Sequence, residues 1–562
     1  MSKKSVIYSK HIFLFPFRWD SVTENETNLE NLSINKRINI NQFEKALNKE
    51  NWDFYSAKDQ SLKGYYIDEF VNYNEYVYFY DYVRDALYDE IENRENIVKH
   101  FTYNLGQDAS YHIHIKTDEK TTGVYQLNMK KIFLHVFSNG VGLLSYHLEN
   151  NIYKEKESIL QINDFGRRIY PQFLSSDGKD STSIIKRSFL ADKIQLNING
   201  KNIIEDFSRY NLQQNCHDDM LTIASHPIQL PNFILELFNT NDQVIFHSST
   251  RNLQYGQICI RPIIDDRMFT ICWFGNDWMI NELKEHRQAG FDTEYNYHTN
   301  EFWYKYIFID GKSLTCANKN MLRRENMKHT YERFTEDGTL WGVSRYSLVG
   351  LTNTEYFGRE IISTHATTIY YQMVVLCLMQ RASVLKYSNE VARISRNIKE
   401  KHPEIEEINE SYLKFINKMY FREITAQDQG IELYDMLQEN MRIEREIADL
   451  KREIDEIYQF ASLAYDKIQQ EIDRDQNELI TKITIIGVLF LPPSLLAGIL
   501  GINIMPKYEE IPSLLFNGEI YIPFVFGIGT IVVISLLLTW LLINVFKLKI
   551  FKRNNSAKID KQ

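Results

Sequence analysis

The sequence has few cysteines, few prolines and no excess of positive charge. Its five cysteines among 562 residues include no Cys-x-x-Cys pair, so neither a disulfide framework nor a zinc site is indicated, and we expect free, buried thiols. The formal net charge of -10 argues against a nucleic-acid-binding protein, and no direct contact with DNA or RNA is expected. The sequence contains no catalytic constellation, so it does not predict an enzyme, and we expect neither a resident metal nor a covalently bound cofactor.

The polar mean hydropathy of -0.37 conceals two apolar runs near the C-terminus, 479–503 and 520–546. Each is long enough to cross a bilayer, which takes roughly 20 residues. A buried helical hairpin is the alternative. The basic tail 547–562 places this end in the cytoplasm by the positive-inside rule, with the loop 504–519 outside. We therefore expect a multi-pass membrane protein, with both termini and the large N-terminal region in the cytoplasm.

The first apolar run has a face of small and polar residues. Steps of three and four place the following residues on one side of a helix: Asn477, Ile480, Thr484, Gly487, Leu491, Ser494, Gly498 and Gly501. Close packing of membrane helices explains the glycines, whereas a water-filled pore explains the polar residues as well. Two adjacent prolines, Pro492 and Pro493, are expected to bend the helix beside such a cavity. One helix cannot enclose a pore, so we predict an oligomer.

The segment "FLPPSLLAGILGIN", with "NELITKITIIGV" before it, resembles the CorA family of divalent-cation channels. The hallmark of that family is a Gly-Met-Asn triplet at the end of the first of two C-terminal spans, and here the triplet is Gly501-Ile502-Asn503. The resemblance runs from Asn477 to the basic tail. Isoleucine in place of methionine keeps the position apolar, so we expect the pore architecture to persist, while ion selectivity stays open.

The resemblance implies a homopentamer in the lipid bilayer of a bacterial inner (plasma) membrane, with Mg²⁺ or another divalent cation as the permeant ion. Asn503 would form a ring of amide oxygens at the outer mouth, able to bind hydrated magnesium without removing its water. The implied hydrophobic constrictions, which can gate by dewetting, are Ile480, Ile483 and Leu491, and the polar stations between them are Asn477, Thr484 and Ser494. Acidic residues of the outer loop concentrate cations or are simply solvated: Glu509, Glu510 and Glu519.

The region before the first span, 366–478, reads as a helical stalk. Apolar residues recur with heptad spacing at Ile443, Ile447, Leu450, Ile454, Ile457, Ala461 and Ala464. This pattern is a heptad seam, typical of a coiled coil, and it predicts a long helix from about 429 to 479. Two further helices are predicted at 366–401 and 403–420.

The region 1–365 alternates apolar runs with Asn-Gly and Asp-Gly turns, which predicts an α+β domain. Hairpins are expected around Asn139-Gly140, Asp310-Gly311 and Asp337-Gly338, and a helix near 80–94. The complete prediction is an α+β cytoplasmic domain, a long helical stalk and two transmembrane helices, assembled as a CorA-like homopentameric funnel.

One stretch of this domain, "IRPIIDDRMFTICWFGNDWM", concentrates arginines and tryptophans that could hold a nucleotide by charge and stacking. The candidate ligand-binding residues are Arg261, Arg267, Trp273 and Trp278. The alternative is a strand with a polar edge and core tryptophans.

Three functions remain open. The divergent N-terminal domain favours CorA-like effectors of type III CRISPR systems, in which a nucleotide second messenger, such as a conjugate of S-adenosylmethionine with AMP, acts on the membrane protein to curtail infection. The second is an ordinary CorA-type magnesium transporter gated by cytosolic Mg²⁺. The third is a non-conducting membrane scaffold.

Overall fold

The computed structural model describes residues 6–21, 34–55, 74–88, 97–116, 122–169, 190–207, 230–238, 246–247, 258–265, 267–289, 292–311, 314–398 and 401–501, with single positions between 529 and 544. By its contacts the chain divides into two compact units, Met1–Ala461 and Ser462–Gln562. We call the first the body and the second the C-terminal unit. The body includes most of the region 366–478 in which we placed the stalk; the domain limits drawn from sequence stay predictions.

The strands of the described residues are β1 (Ser9–Ser21), β2 (Trp52–Phe54), β3 (Val98–Tyr103), β4 (Ser110–Lys116), β5 (Thr122–Phe137), β6 (Val141–Asn150), β7 (Lys193–Ile198), β8 (Lys201–Asp206), β9 (Phe246–His247), β10 (Ile258–Pro262), β11 (Phe269–Gly275), β12 (His286–Ala289), β13 (Asp292–Tyr295), β14 (Thr330–Tyr331), β15 (Thr339–Ser344) and β16 (Ser347–Thr352).

All of these strands except the β12–β13 pair form one sheet, in the order β14-β15-β16-β11-β1-β6-β5-β4-β7-β8. The strand β3 also pairs with β5, and β10 pairs with the second half of β1. Most pairs are antiparallel, with β11–β16 and β9–β10 parallel. The strand β1 lies in the middle because its residues are apolar on both faces and nearly all buried.

The helices are α1 (Ile34–Arg37), α2 (Ile40–Ala46), α3 (Asp81–Tyr88), α4 (Lys156–Gly166), α5 (Asn232–Phe238), α6 (Asp277–Lys284), α7 (Glu301–Phe308), α8 (Lys319–Lys328), α9 (Ser363–Thr367), α10 (Ile369–Ile394), α11 (His402–Met419), α12 (Asp428–Met441) and α13 (Ile443–Gly501). A π-helical turn, Phe357–Ile362, precedes α9, and 3₁₀ turns occur at Asn296–Thr299 and Ser395–Asn397. The mixed α/β region followed by long helices that the sequence predicts is therefore present.

The helix α10 lies in the core of the body between the sheet and the helices α11 and α12. Nearly all of its side chains are buried, including polar ones such as Gln380 and Lys386. Within the described residues, the helical stretch Phe357–Ile394 is the one long and apolar enough to cross a membrane, and 72% of its most apolar window is buried inside the protein. Burial in the body accounts for this composition. The two predicted spans, 479–503 and 520–546, are only partly described and stay predictions.

Two of the three predicted hairpins are confirmed. The turn at Asn139-Gly140 joins β5 to β6, and Gly140 adopts the φ of +81° that such a turn requires. Residues 332–338, which end at Gly338 with φ +73°, connect β14 to its antiparallel partner β15. The four described cysteines, Cys259, Cys272, Cys316 and Cys377, are free and buried, as expected; Cys216 lies outside the described residues.

The hairpin predicted around Asp310-Gly311 is wrong, because the preceding residues form the helix α7. Their buried positions follow helical spacing, with Trp303, Tyr306 and Ile307 inside the core. The Asn300 side chain caps the helix by accepting from the Trp303 amide, and Ile309 ends it with a left-handed φ of 53°. The composition of a continuous aromatic run fits a strand and a buried helix equally well. Here the helix forms, and its aromatic face packs in the core.

The prediction of one continuous helix from 429 to 479 is also wrong, because the structure divides this region into two helices. Arg442 has a left-handed φ of 58° and separates α12 from α13, which continues to Gly501. The first part of the heptad seam is buried within the chain itself, at Ile443, Ile447, Leu450, Ile454 and Ala461. These residues therefore serve the core of the body and are not free to form a seam between copies.

Candidate functional site

The predicted pore face lies on the second half of α13 and is exposed in the single chain. The described residues Asn477, Ile480, Ile483, Thr484, Gly487, Leu491, Ser494 and Gly498 are all exposed. Neighbouring apolar side chains such as Phe490 and Leu495 are exposed to the same degree. One chain thus leaves this part of the helix uncovered on several sides.

Two small features of this face are defined. The Thr484 hydroxyl donates to the Ile480 carbonyl at 2.7 Å, so it is satisfied within the helix. A Cβ atom added at Gly487 or Gly498 would meet nothing within 4 Å. Packing among the described residues therefore does not require either glycine, which leaves packing against another membrane helix or a role in lining a pore.

The remaining pore residues are described only in part. Gly501 is the last residue of α13, while Ile502, Asn503, Glu509, Glu510 and Glu519 lie outside the described residues. The predicted selectivity triplet and outer acidic ring stay predictions.

The four candidate ligand residues occupy separate environments. Trp273 on β11 is 1% exposed and donates to Thr352, so its ring offers no stacking surface in this structure. Trp278 on α6 is 67% exposed. The Arg267 side chain donates to Asp265 at 2.6 Å and lies over the Tyr346 ring.

The fourth, Arg261 on β10, belongs to a buried ionic network. Its guanidinium donates to Asp20 at 2.6 Å, and Arg37 bridges Asp20 (3.2 Å) and Glu390 (2.5 Å). Burial alone would raise the pKa of Asp20, but Arg37, Arg261 and Lys386 together lower it to about 2. The network ties β1, α1 and β10 to α10, so Arg261 has a structural role here.

A cavity of about 700 Å³ lies elsewhere in the body, on the sheet face toward α10. Four neighbouring strands, β1, β6, β5 and β3, form its floor. The residues that face the cavity are Lys10 on β1, His147 and Glu149 on β6, Lys131 and Phe133 on β5, and His100 on β3. Residues Glu75 and Tyr76, the end of α3 and the start of α10 complete the wall. This size is typical of small-molecule sites.

A β-bulge brings two consecutive lysines to this cavity. In a regular strand Lys130 and Lys131 would face opposite sides of the sheet, but the pairing of β5 with β6 shifts between Met129 and Lys131. Both lysines consequently line the cavity. Lys130 pairs with Glu149 at 3.1 Å, and Lys10 donates to the Ser363 hydroxyl at 3.2 Å.

Lys131 is different, because its ammonium group makes no hydrogen bond or ion pair with any described residue, although its backbone pairs with β6. Its ammonium group lies 3.9 Å from the centroid of the Phe133 ring and 4.8 Å from that of Tyr55. Desolvation lowers the pKa of Lys131 to about 8, against the opposing effect of the Glu75 carboxylate. An unpaired, partly desolvated cation in a cavity of this size is a ready site for an anion.

Burial also shifts the pKa of three other groups of the cavity, His100, His147 and Glu75. Burial lowers the pKa of His100 to about 4 and that of His147 well below its usual value, so both rings are uncharged at neutral pH. Burial raises the pKa of Glu75, although its carboxylate accepts from Tyr88 and Gln372. The Gln372 Oε1 atom is buried and has no donor among the described residues.

The cavity is connected to α13 through side chains of the body. Tyr371 and Gln372 of α10 line the cavity, and Gln380 of the same helix bonds to Tyr434 of α12 at 3.1 Å. Arg381 donates to the Arg345 carbonyl, and the Arg345 side chain pairs with Glu446 of α13 at 3.2 Å. Helix α10 therefore touches both the cavity and the contacts that hold the start of α13.

Sequence reasoning missed this cavity. The available signal was the pair of lysines in "NMKKIFLHVF", which is unusual inside a run otherwise typical of a buried strand. The bulge and the distant residues Lys10 and Gln372 carry no local pattern, so their convergence depends on the sheet register.

Residues 388–549 match the family described as CorA-like Mg2+ transporter protein. The matched segment begins near the end of α10 and includes α11, α12, α13 and both predicted spans. No curated protein and no solved structure matches the chain. The C-terminal part of the chain is thus CorA-like, which supports a membrane location and metal-ion transport, while most of the body lies outside the match.

Proposed function

We propose that the chain forms a CorA-like channel for divalent cations in a membrane, as a homopentamer whose five copies of α13 line the pore. The observation that carries the proposal is the exposed face of α13 inside the matched segment. Its small and polar residues follow one side of the helix, and no contact among the described residues accounts for its glycines. A non-conducting scaffold would not need Asn477, Thr484 and Ser494 on that face.

We further propose that the body controls this pore by binding a nucleotide second messenger, such as an S-adenosylmethionine–AMP conjugate, in type III CRISPR antiviral defence. The support is indirect: the body extends far beyond the matched family segment and contains a basic cavity in contact with α10. An ordinary magnesium transporter gated by cytosolic Mg²⁺ is the second candidate, and the family match favours it directly.

The pore is tested by cation flux into liposomes that carry the purified protein. We expect Asn503→Ala to change the flux or the selectivity for Mg²⁺ by at least tenfold, because the predicted amide ring is the last contact with the hydrated ion. Asn517→Ala, in the same predicted outer loop, is the matched control and should conduct like the wild type. Unchanged flux together with unchanged selectivity in Asn503→Ala would contradict the pore proposed here.

The two gating candidates are separated in the same liposomes. Flux is measured while Mg²⁺ and then adenylate compounds are titrated on the side that holds the body. Closure by magnesium with no response to nucleotides identifies a transporter. Flux that requires a nucleotide identifies a signalling effector.

A further inference from the structure

We infer that the cavity beside α10 binds a nucleoside phosphate whose base carries an exocyclic amino group, with the phosphate held by Lys131 and Lys10. This inference deepens the nucleotide gating proposed above, because it names the site and the ligand chemistry. It rests on the geometry of the cavity and can be tested without any measurement of flux.

The charge of the cavity favours an anion. Its lining has three lysines and two glutamates, and the Lys130–Glu149 pair is internally neutral. Among the described side chains, Lys10 hydrogen-bonds to the Ser363 hydroxyl and Lys131 contacts aromatic rings. Glu149 and Glu360 act on Lys10, and Glu75 acts on Lys131, through charge and without an ion pair to either ammonium group. A phosphate would provide both ammonium groups with charge-assisted hydrogen bonds. A metal ion would meet the same lysines as repulsive neighbours.

The remaining wall fits a planar base better than a lipid tail. The cavity has aromatic side chains, Tyr76 and Tyr88 among them, but its polar groups outnumber its apolar ones. The Gln372 Oε1 atom is buried without a donor, and the Gln372 amide nitrogen is already committed to Glu75. An amino group on the ligand would satisfy this oxygen, whereas a carbonyl in its place would repel it.

The experiment is equilibrium dialysis of the full-length, detergent-purified protein with AMP, IMP, adenosine and inorganic phosphate. We expect AMP to bind at least tenfold more tightly than adenosine, which lacks the phosphate, and than IMP, which lacks the amino group. No binding of AMP at millimolar concentration overturns the inference. Inorganic phosphate that binds as tightly as AMP overturns the part that concerns the base.

The matched variants are Lys131→Met and Lys201→Met. The second removes an exposed lysine of the same sheet, on β8, outside the cavity. We expect Lys131→Met to weaken AMP binding at least tenfold and Lys201→Met to leave it unchanged. Since Lys131 is partly desolvated and unpaired, Lys131→Met should also raise the melting temperature, which separates lost binding from lost folding. Equal AMP affinity in wild type and Lys131→Met contradicts the site.

The pH dependence gives a second readout. The charged and titratable groups that line the cavity around Lys131 are Glu75, Lys10, Lys130, Glu149, His100, His147, Tyr55, Tyr76, Tyr88 and Tyr371. AMP affinity should fall as pH rises above about 8, where Lys131 loses its proton. Desolvation lowers the pKa of Lys10 as well, so its deprotonation adds to the fall. Lys131→Arg keeps its charge and should reduce this fall. A fall of the same size in Lys131→Arg would assign the pH dependence to another group.

The result is independent of the channel proposal. If AMP binds but no condition gives cation flux, the nucleotide site is supported and the channel proposal is wrong. If cations flow but AMP does not bind, the channel is supported and the nucleotide site is wrong.

Discussion

The body and the C-terminal unit differ in how many of their described side chains are buried or paired within the chain. In the body, apolar residues and even a network of buried charges find partners within the chain, as Asp20 does with Arg37 and Arg261. In the C-terminal unit, large apolar side chains such as Leu479, Phe490 and Leu495 stay exposed. Contiguous exposed apolar surface indicates a partner outside the described residues, such as lipid or further copies.

The helix α13 shows this difference within one element. Its residues Leu450 and Ile454 are buried in the core of the body, while Leu463 and Ile472, farther along the same helix, are exposed. Helix propensity is similar throughout, so the difference comes from the environment and not from the local sequence. A heptad pattern alone therefore does not tell whether its apolar seam serves one chain or several.

The largest expected effect concerns an ion pair in each region. Asp20→Asn leaves the buried guanidinium groups of Arg37 and Arg261 without their shared carboxylate, and should destabilise the body by about 3–5 kcal/mol. Glu478→Gln removes an exposed partner of Lys482 and should leave the midpoint of urea unfolding unchanged. Urea unfolding followed by tryptophan fluorescence reports the body, since Trp19, Trp273, Trp303 and Trp341 are buried there. Equal shifts in the two variants would remove the contrast between the regions.

Acid unfolding provides the control for this prediction. The pKa of Asp20 is about 2 in the folded state and about 3.9 for an unfolded aspartate, so its carboxylate stabilises the fold above pH 4. That contribution, roughly 2–3 kcal/mol, is lost as pH falls from about 4 to 2. Asp20→Asn should therefore show a shallower loss of stability over this range than the wild type.

The next effect compares two leucines of α13. Leu450→Ala removes a side chain that is 1% exposed and should cost about 2–4 kcal/mol through the cavity it leaves. Leu463→Ala removes one that is 63% exposed and should cost about 0.5 kcal/mol or less. The same urea titration measures both. A large cost for Leu463→Ala in the assembled protein would show that another copy buries this position.

The smallest effect concerns the break before α13. Arg442 adopts a left-handed conformation that glycine accepts without strain, so Arg442→Gly should stabilise the body by about 0.5–1 kcal/mol. Lys451→Gly, at an exposed position inside α13, should instead destabilise it by about 1 kcal/mol. Opposite signs in differential scanning calorimetry support the break at Arg442. A loss of stability in both variants would indicate that α12 and α13 are continuous in solution.

Local patterns predicted part of the fold correctly. The Asn139-Gly140 turn required a backbone that few residues accept, and it is present. The apolar spacing of α11 and of the start of α13 also predicted helices that the structure contains. The run before Asp310-Gly311 was misread as a strand because aromatic residues suit both a strand and the buried helix α7.

The candidate ligand site could not be predicted in the same way. Arginines and tryptophans close in sequence suggested one, yet Trp273 is in the core and Arg261 is paired with Asp20. The cavity instead gathers residues from β1, β5 and α10, far apart along the chain. The composition of a short segment does not predict which distant residues meet in a cavity.

The sequence by itself determined the apolar runs, the polar face of the first run, the family likeness of the C-terminal part and the tight turns, because each depends on neighbouring residues and on backbone geometry. Only the tertiary structure decided which lysine lacks a partner, which half of the heptad seam is buried and where a cavity opens. These depend on strand register, on the bulge at Lys130 and on the burial of α10, and burial is a property of the assembled chain.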